Sequence, residues 1–252
     1  MLIKTPEEIE KIRAAGKILA KTAKIVLAEA KEGVVLRSLD KLAEKLIKES
    51  GAKPAFLGYR PFGARAPYPC SICASVNDVV VHGVPSDYAL QSGDILKLDF
   101  GVNLTGWNAD AAWTVAIGKI DDAKRKLLKT TETALFDGIK QMKPGKTLGD
   151  IGWAINERVN KGGFAVVEGL TGHGIGRDIH EEPSVYNVGQ KGRGLELKPG
   201  MVLAIEPMVS AGSPKILQRK DDSFVIEDGS VSAHFEHTVA VTEKGPQILT
   251  LI

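Results

Sequence analysis

Residues 94–118, DILKLDFGVNLTGWNADAAWTVAIG, hold two apolar runs on either side of a polar stretch. The first places Asp99 among Ile95, Leu96, Leu98 and Phe100, and the second leads from Asp110 to Trp113, Val115 and Ile117. Asn103 and Gly106 between them suit a turn, so an antiparallel hairpin is expected. With the turn centred between Leu104 and Thr105, Asp99 falls directly opposite Asp110, with Cβ atoms about 4.5–5.5 Å apart. Two carboxylates at ~4.5 Å in an effective dielectric near 20 repel by about 3–4 kcal/mol. A divalent cation between them reverses that sign. The bland alternative has one Asp capping the turn and the other in solvent.

Upstream, Thr5-Pro6-Glu7-Glu8 opens a helix: Thr5 caps, Pro6 takes the first helical position and Glu8 completes a capping box. Ile9, Ile12, Leu19, Ala23 and Val26 carry it at near-helical spacing to about Glu32-Gly33. A second helix is expected from Ser38 through Leu39, Leu42, Leu46 and Ile47 to a capping Gly51. Residues 52–71 read as loop, and strand-like runs follow at 72–82 and 94–117. The order then repeats. Helices span roughly 121–142 and from Thr147 to about Lys161, and strand-like runs occupy 164–170, 201–210 and 223–250. Asp228-Gly229 is a hairpin-turn signal. The expected class is α+β, with residues 1–252 forming one domain of two similar halves, about 1–118 and 119–252, sheet in the middle and helices outside.

Four more residues bear chemistry in unusual settings. His173 stands between glycines in Gly172-His173-Gly174-Ile175-Gly176, where the backbone could pass close to a ligand or metal. A dinucleotide fingerprint would need a βαβ unit and an acidic ribose ligand, which do not follow. His180, seven residues on, is either a structural hydrogen bonder or a ligand. Glu206 interrupts the apolar strand Met201-Val202-Leu203-Ala204-Ile205, and a carboxylate there needs a cation, a proton or several donors. Pro207 cannot donate to a ladder and points to a sheet edge or an irregularity where Glu206 turns toward something. Glu236 lies in a run where His234, Glu236 and Thr238 alternate with Phe235, His237 and Val239, which leaves an exposed sheet face and a metal-facing one equally open.

Composition is that of an ordinary globular chain, 43% hydrophobic and 25% charged. Net charge is +2, so no polyanion partner such as DNA is implied. The first 53 residues carry 12 Lys/Arg against 8 Asp/Glu, chiefly a solvated helix face, with transient contact to an acidic surface such as ribosomal RNA the minority reading. Cys70 and Cys73 lack a second pair for structural zinc and are expected to be reduced thiols. The N-terminus is not a signal peptide, and no apolar stretch is long enough for a membrane span, so a cytoplasmic enzyme is expected.

Together, Asn77-Asp78-Val79-Val80-Val81-His82-Gly83-Val84-Pro85, the Asp99/Asp110 hairpin, Gly172-His173-Gly174-Ile175-Gly176, Ile205-Glu206-Pro207-Met208 and Phe235-Glu236-His237-Thr238 resemble the type I methionine aminopeptidases, in the same order and over nearly the whole chain. The resemblance implies a pita-bread fold, two pseudo-twofold halves around a curved, largely antiparallel sheet. It implies two divalent metal ions (cobalt, manganese, iron or zinc) held by Asp99, Asp110, His173, Glu206 and Glu236. Asp110 and Glu236 would bridge, Asp99 would hold one ion, and His173 with Glu206 the other. A water activated by the ions would attack the first peptide carbonyl, Glu206 would shuttle a proton, His180 would stabilise the oxyanion and His82 would contact the scissile amide. Cys73 matches a pocket cysteine of the family, and Tyr59 and Phe224 are expected pocket walls. The substrates implied are nascent polypeptide N-termini, and the expected state is a monomer. The chain departs from the family in a longer loop at Pro61–Pro69, in Ile179 where Phe is frequent and in Phe224 where Trp is frequent. Competing readings are an Xaa-Pro-type aminopeptidase of the same fold, whose relatives usually add an N-terminal domain, and a non-catalytic binding protein, which would have lost metal ligands.

Overall fold

The structure, a computed structural model, describes residues 3–60 and 63–251. Met1, Leu2 and Ile252 lie outside the described residues, as do Pro61 and Phe62 of the longer loop. Helices α1 (Pro6–Glu29) and α2 (Leu36–Glu49) precede strands β1 (Lys53–Pro54), β2 (Ile72–Val76), β3 (Val79–Val81), β4 (Ile95–Leu104) and β5 (Trp107–Ala116). Helices α3 (Asp122–Ile139) and α4 (Leu148–Gly162) precede β6 (Ala165–Val166), β7 (Thr171–Gly174), β8 (Glu181–Tyr186), β9 (Val202–Ile205), β10 (Met208–Ser210), β11 (Ile216–Gln218), β12 (Phe224–Ile226), β13 (Ser232–His234), β14 (His237–Thr242) and β15 (Gly245–Ile248).

α1 begins with the expected capping box, Thr5 Oγ1 accepting from Glu8 N while Thr5 N donates to Glu8 Oε2. α2 starts two residues earlier than Ser38. Its first amides need no side-chain cap, because Leu36 N and Arg37 N donate to the carbonyls of Tyr88 and Ser86. Ser38 Oγ instead donates to the Val35 carbonyl.

Two cores follow from the apolar faces. Ile12, Leu19, Leu39 and Ile47 of the first helix pair pack on Leu96, Leu98 and Phe100 of β4. Leu127, Leu135, Ile151 and Ile155 of the second pair pack on Leu203, Ile205 and Val239. All the described strand pairings are antiparallel. β4 carries β5 on one edge and β1 and β2 on the other, and the largest second-half sheet runs β15-β14-β9-β7-β8.

The hairpin register differs from expectation. Leu104 pairs with Trp107, Asp99 with Ala112 and Gly101 with Asp110. The two-residue turn is Thr105-Gly106, at φ 52° and 83°. Such a turn needs two left-handed residues, and glycine takes that conformation without penalty, which Leu104 would not. Asp99 and Asp110 are thus diagonal neighbours. Moving the turn by one residue changes the partner by two positions, so both still share a face.

Asp228-Gly229 turns the chain, but not as a hairpin. β12 pairs with β11 and β3, whereas β13 pairs with β10. The Asp228 carboxylate accepts from Ser213 N and Ser230 N, which steers the chain from one sheet to the next.

Candidate metal centre

Strand β5 meets the second half along one seam. Glu236 N donates to Ala112 O (2.9 Å) and Ala112 N to Glu236 O (3.3 Å). Asp110 N donates to Thr238 Oγ1 (2.9 Å), which donates back to Asp110 O (2.7 Å). This stitching carries the hairpin carboxylates to those of the second half. Glu206 sits in the break between β9 and β10, and Glu236 in the break between β13 and β14, rather than within strands. Pro207, which has no amide hydrogen, occupies the first break. Asn187 Nδ2 holds the Glu206 carbonyl there (3.0 Å).

Ligand atoms of Asp99, Asp110 and Glu236 lie within 4.8 Å of one another, as do those of His173, Glu206 and Glu236, and those of Asp110, His173 and His180. Asp99 Oδ1, Asp110 Oδ1 and Glu236 Oε1 are buried with no hydrogen-bond partner. Burial first, then mutual repulsion, pushes Asp110 and Glu236 well above the usual carboxylate range. Burial raises Glu206 to about 7 and Asp99 to about 6. Orphaned oxygens of several acids converging on one point are what hard or borderline divalent ions require. His173 completes the set. Its Nδ1 donates to Gly174 O (2.9 Å), leaving the Nε2 lone pair toward Glu206 Oε1 (3.5 Å) and Asp110 Oδ2 (3.8 Å).

The glycines beside His173 have a different cause from the one expected. A Cβ on Gly172 would lie 2.4 Å from Ala204 O, and one on Gly174 would lie 2.2 Å from Glu182 O. The neighbouring strands demand them, because β7 is sandwiched between β8 and β9.

His82, His180, Tyr59 and Cys73 line the same cavity of about 1030 Å³ as the four acids and His173, together with Phe56, Tyr68, Val81 and Met208. His82 follows β3 at φ 59°, a conformation costly for a residue with a side chain and common at functional positions. Burial pushes His82 down to about 4, and desolvation in the cavity, with repulsion from His173, pushes His180 down to about 3. Tyr59 hydroxyl lies 2.9 Å from His180 Nδ1, and the His173 and His180 rings are 4.4 Å apart. Phe224 is not on the cavity wall. Its ring packs edge-on behind His82, at 5.8 Å. Cys73 is buried, its thiol pushed up by burial and by Asp99, and burial raises the free Cys70 to about 11, so neither is a thiolate nucleophile.

Several supporting residues escaped the sequence reading. Lys97, 1% exposed, donates to Asn77 O (2.6 Å), Ser232 O (3.2 Å) and Ser232 Oγ (3.2 Å), tying a first-half turn to β13. Asn108 pins the hairpin tip to the loop before His180 through Gly176 O and Arg177 O. A lone lysine in an apolar strand is the same signal that marked Glu206.

A profile of metallopeptidase family M24 matches residues 10–243. The chain is 44% identical to methionine aminopeptidase 1 of Bacillus subtilis over 253 aligned residues, covering 100% of both chains. It superposes on the crystal structure of methionine aminopeptidase from Rickettsia prowazekii with a TM-score of 0.95, at 40% identity and 100% coverage of both. A prolidase from Pyrococcus furiosus matches with a TM-score of 0.80 at 27% identity, this chain covering 66% of it. The fold is therefore the pita-bread fold that the resemblance implied, and the chain belongs to metallopeptidase family M24 and, within it, to the methionine aminopeptidases.

Proposed function

We propose that this chain removes the N-terminal methionine from new proteins and peptides, with Asp99, Asp110, His173, Glu206 and Glu236 holding two divalent ions. The observation that carries the reading is the sharing of Glu236 between two ligand groups, one with Asp99 and Asp110 and one with His173 and Glu206. Asp110 also falls in a group with His173, so Asp110 and Glu236 would be the residues that contribute to both ions. Four carboxylates and one imidazole suit manganese, iron or cobalt and admit zinc. When bound, the ions polarise the scissile carbonyl and make water nucleophilic at neutral pH, a use of paired metals for which the aminopeptidases are a standard example.

The chain's own residues do the rest. The carboxylate cluster receives the free α-amine. Glu206 takes the proton of the attacking water and returns it to the leaving amine. With Tyr59 O–H donating to His180 Nδ1, the imidazole proton sits on Nε2, free to donate to the developing oxyanion. His82, kept neutral by burial, contacts the scissile amide. The apolar walls from Phe56, Tyr68, Val81 and Met208, with Cys73, suit a soft, unbranched thioether. Since ligands come from both halves, residues 1–252 act as one catalytic domain, and a site complete within one chain supports a working monomer. The basic first 53 residues support transient contact with ribosomal RNA. Two free, buried cysteines support a reducing compartment such as the cytoplasm; among the described residues no helix is long and apolar enough to cross a membrane.

The test is methionine release from Met-Ala-Ser against Ala release from an Ala-Pro peptide, with chelator and metal add-back. Release from the first, lost with chelator and restored by Mn(II) or Co(II), is expected. Cleavage of the proline substrate alone would return the chain to the prolidase-like reading.

A further inference from the structure

One buried titratable group beside the acids has no part in the reading above. His234, at the end of β13, is 1% exposed, and its Nε2 is buried with no hydrogen-bond partner. That nitrogen lies 3.5 Å from Glu206 Oε2 and 3.9 Å from Glu236 Oε2. The other oxygens of the same two acids face the ligand cluster: Glu206 Oε1 is 3.5 Å from His173 Nε2, and Glu236 Oε1 is orphaned. Glu206 is thus flanked by two imidazoles, one on each oxygen. His234 is itself held rigidly, because its N donates to Thr114 Oγ1 (2.9 Å) and its carbonyl accepts from the same hydroxyl (2.5 Å).

We propose that His234 is a positioning residue of the metal centre, whose Nε2–H holds the Oε2 atoms of Glu206 and Glu236 so that their Oε1 atoms are presented to the ions. Both neighbours of Nε2 are oxygens of acids that must be ionised to hold metal, and an ionised carboxylate only accepts, so the tautomer that fits the loaded site carries its proton on Nε2. Groups that hydrogen-bond a ligating carboxylate set its direction, and their loss weakens metal binding by roughly 10–100-fold. The inference rests on the five-ligand reading.

The experiment is calorimetric titration of the full chain with Co(II) alone, followed also by visible Co(II) absorption, for wild type, His234→Leu, His234→Gln and Asp110→Asn. Leucine fills the space without a donor and should weaken binding roughly 10–100-fold, whereas glutamine restores an N–H and should bind within about threefold of wild type with unchanged Co(II) absorption. A leucine variant that binds like wild type overturns the proposal. A glutamine variant that binds as weakly as leucine also overturns it, since His234 would then act other than as a donor. If the leucine variant does not fold, the glutamine variant decides alone: binding within about threefold of wild type supports the proposal, and weaker binding overturns it. Undiminished Co(II) binding by Asp110→Asn would instead overturn the five-ligand reading on which the proposal stands.

Discussion

The β4–β5 hairpin and the two glutamate segments of the second half deliver carboxylates to one place by opposite means. In the hairpin, Asp99 and Asp110 sit in a continuous ten-pair ladder, Ile95–Ala116 to Leu104–Trp107, and their direction follows from strand alternation and a two-residue turn. In the second half, Glu206 and Glu236 sit where ladders stop, and their backbones are held by partners from elsewhere, Asn187 and Ala112. A ladder orients side chains by period alone, so the carboxylates it carries are placed locally and robustly. A break frees the side chain from that period and makes its direction depend on distant contacts.

The most severe way to challenge the comparison is to remove one proposed metal-holding carboxylate from each region. Asp110→Asn and Glu236→Gln should each lower methionine release from Met-Ala-Ser by roughly three orders of magnitude, the scale of losing several kcal/mol of metal-assisted transition-state stabilisation. Circular dichroism should show both folded. A large loss in only one would mean that the two regions do not serve one centre. Cutting the seam comes next. Thr238→Val keeps the shape but strands Asp110 N and O without their hydroxyl, costing about 1–3 kcal/mol in urea unfolding. An unchanged midpoint would show that the halves are held without it.

pH separates the metal-free from the loaded protein. Burial lifts Asp99 to about 6 and Glu206 to about 7, while ordinary carboxylates titrate near ~4. Between those values the folded metal-free protein holds protons that the unfolded chain has released. The stability these groups contribute is therefore fully present below about pH 4 and lost as pH rises through 6 to 7. Chelator-treated protein should melt at falling temperature from pH 5 to 8, and saturating Mn(II) should flatten or reverse the slope. The mildest change is at the turn. Gly106→Ala forces a side chain to φ 83° and should cost about 1 kcal/mol, whereas Pro207→Ala, in a break with no ladder bond to lose, should cost less.

What could be read without the structure follows the same division. The Thr5/Glu8 capping box, the helix-helix-strand order occurring twice and the pairing of Asp99 with Asp110 on one face rest on residues close in sequence. Even the turn, expected one residue early, left both acids on the right face, because the error moved the register by two positions. His173, Glu206 and Glu236 looked unusual one by one, yet nothing local joined them, and their ordered likeness to a known family supplied the set.

The helices, the hairpin and the side chains too polar for their surroundings are thus written in the chain order alone, since period, capping and turn chemistry act over a few residues. Long-range packing instead makes the glycines beside His173 serve neighbouring strands, brings Tyr59 to His180 across 121 positions, ties Asn77 to Ser232 through Lys97, and turns His234 toward two of the acids. Each of those depends on where separate chain segments come to rest against one another, and that is set by how the two cores pack.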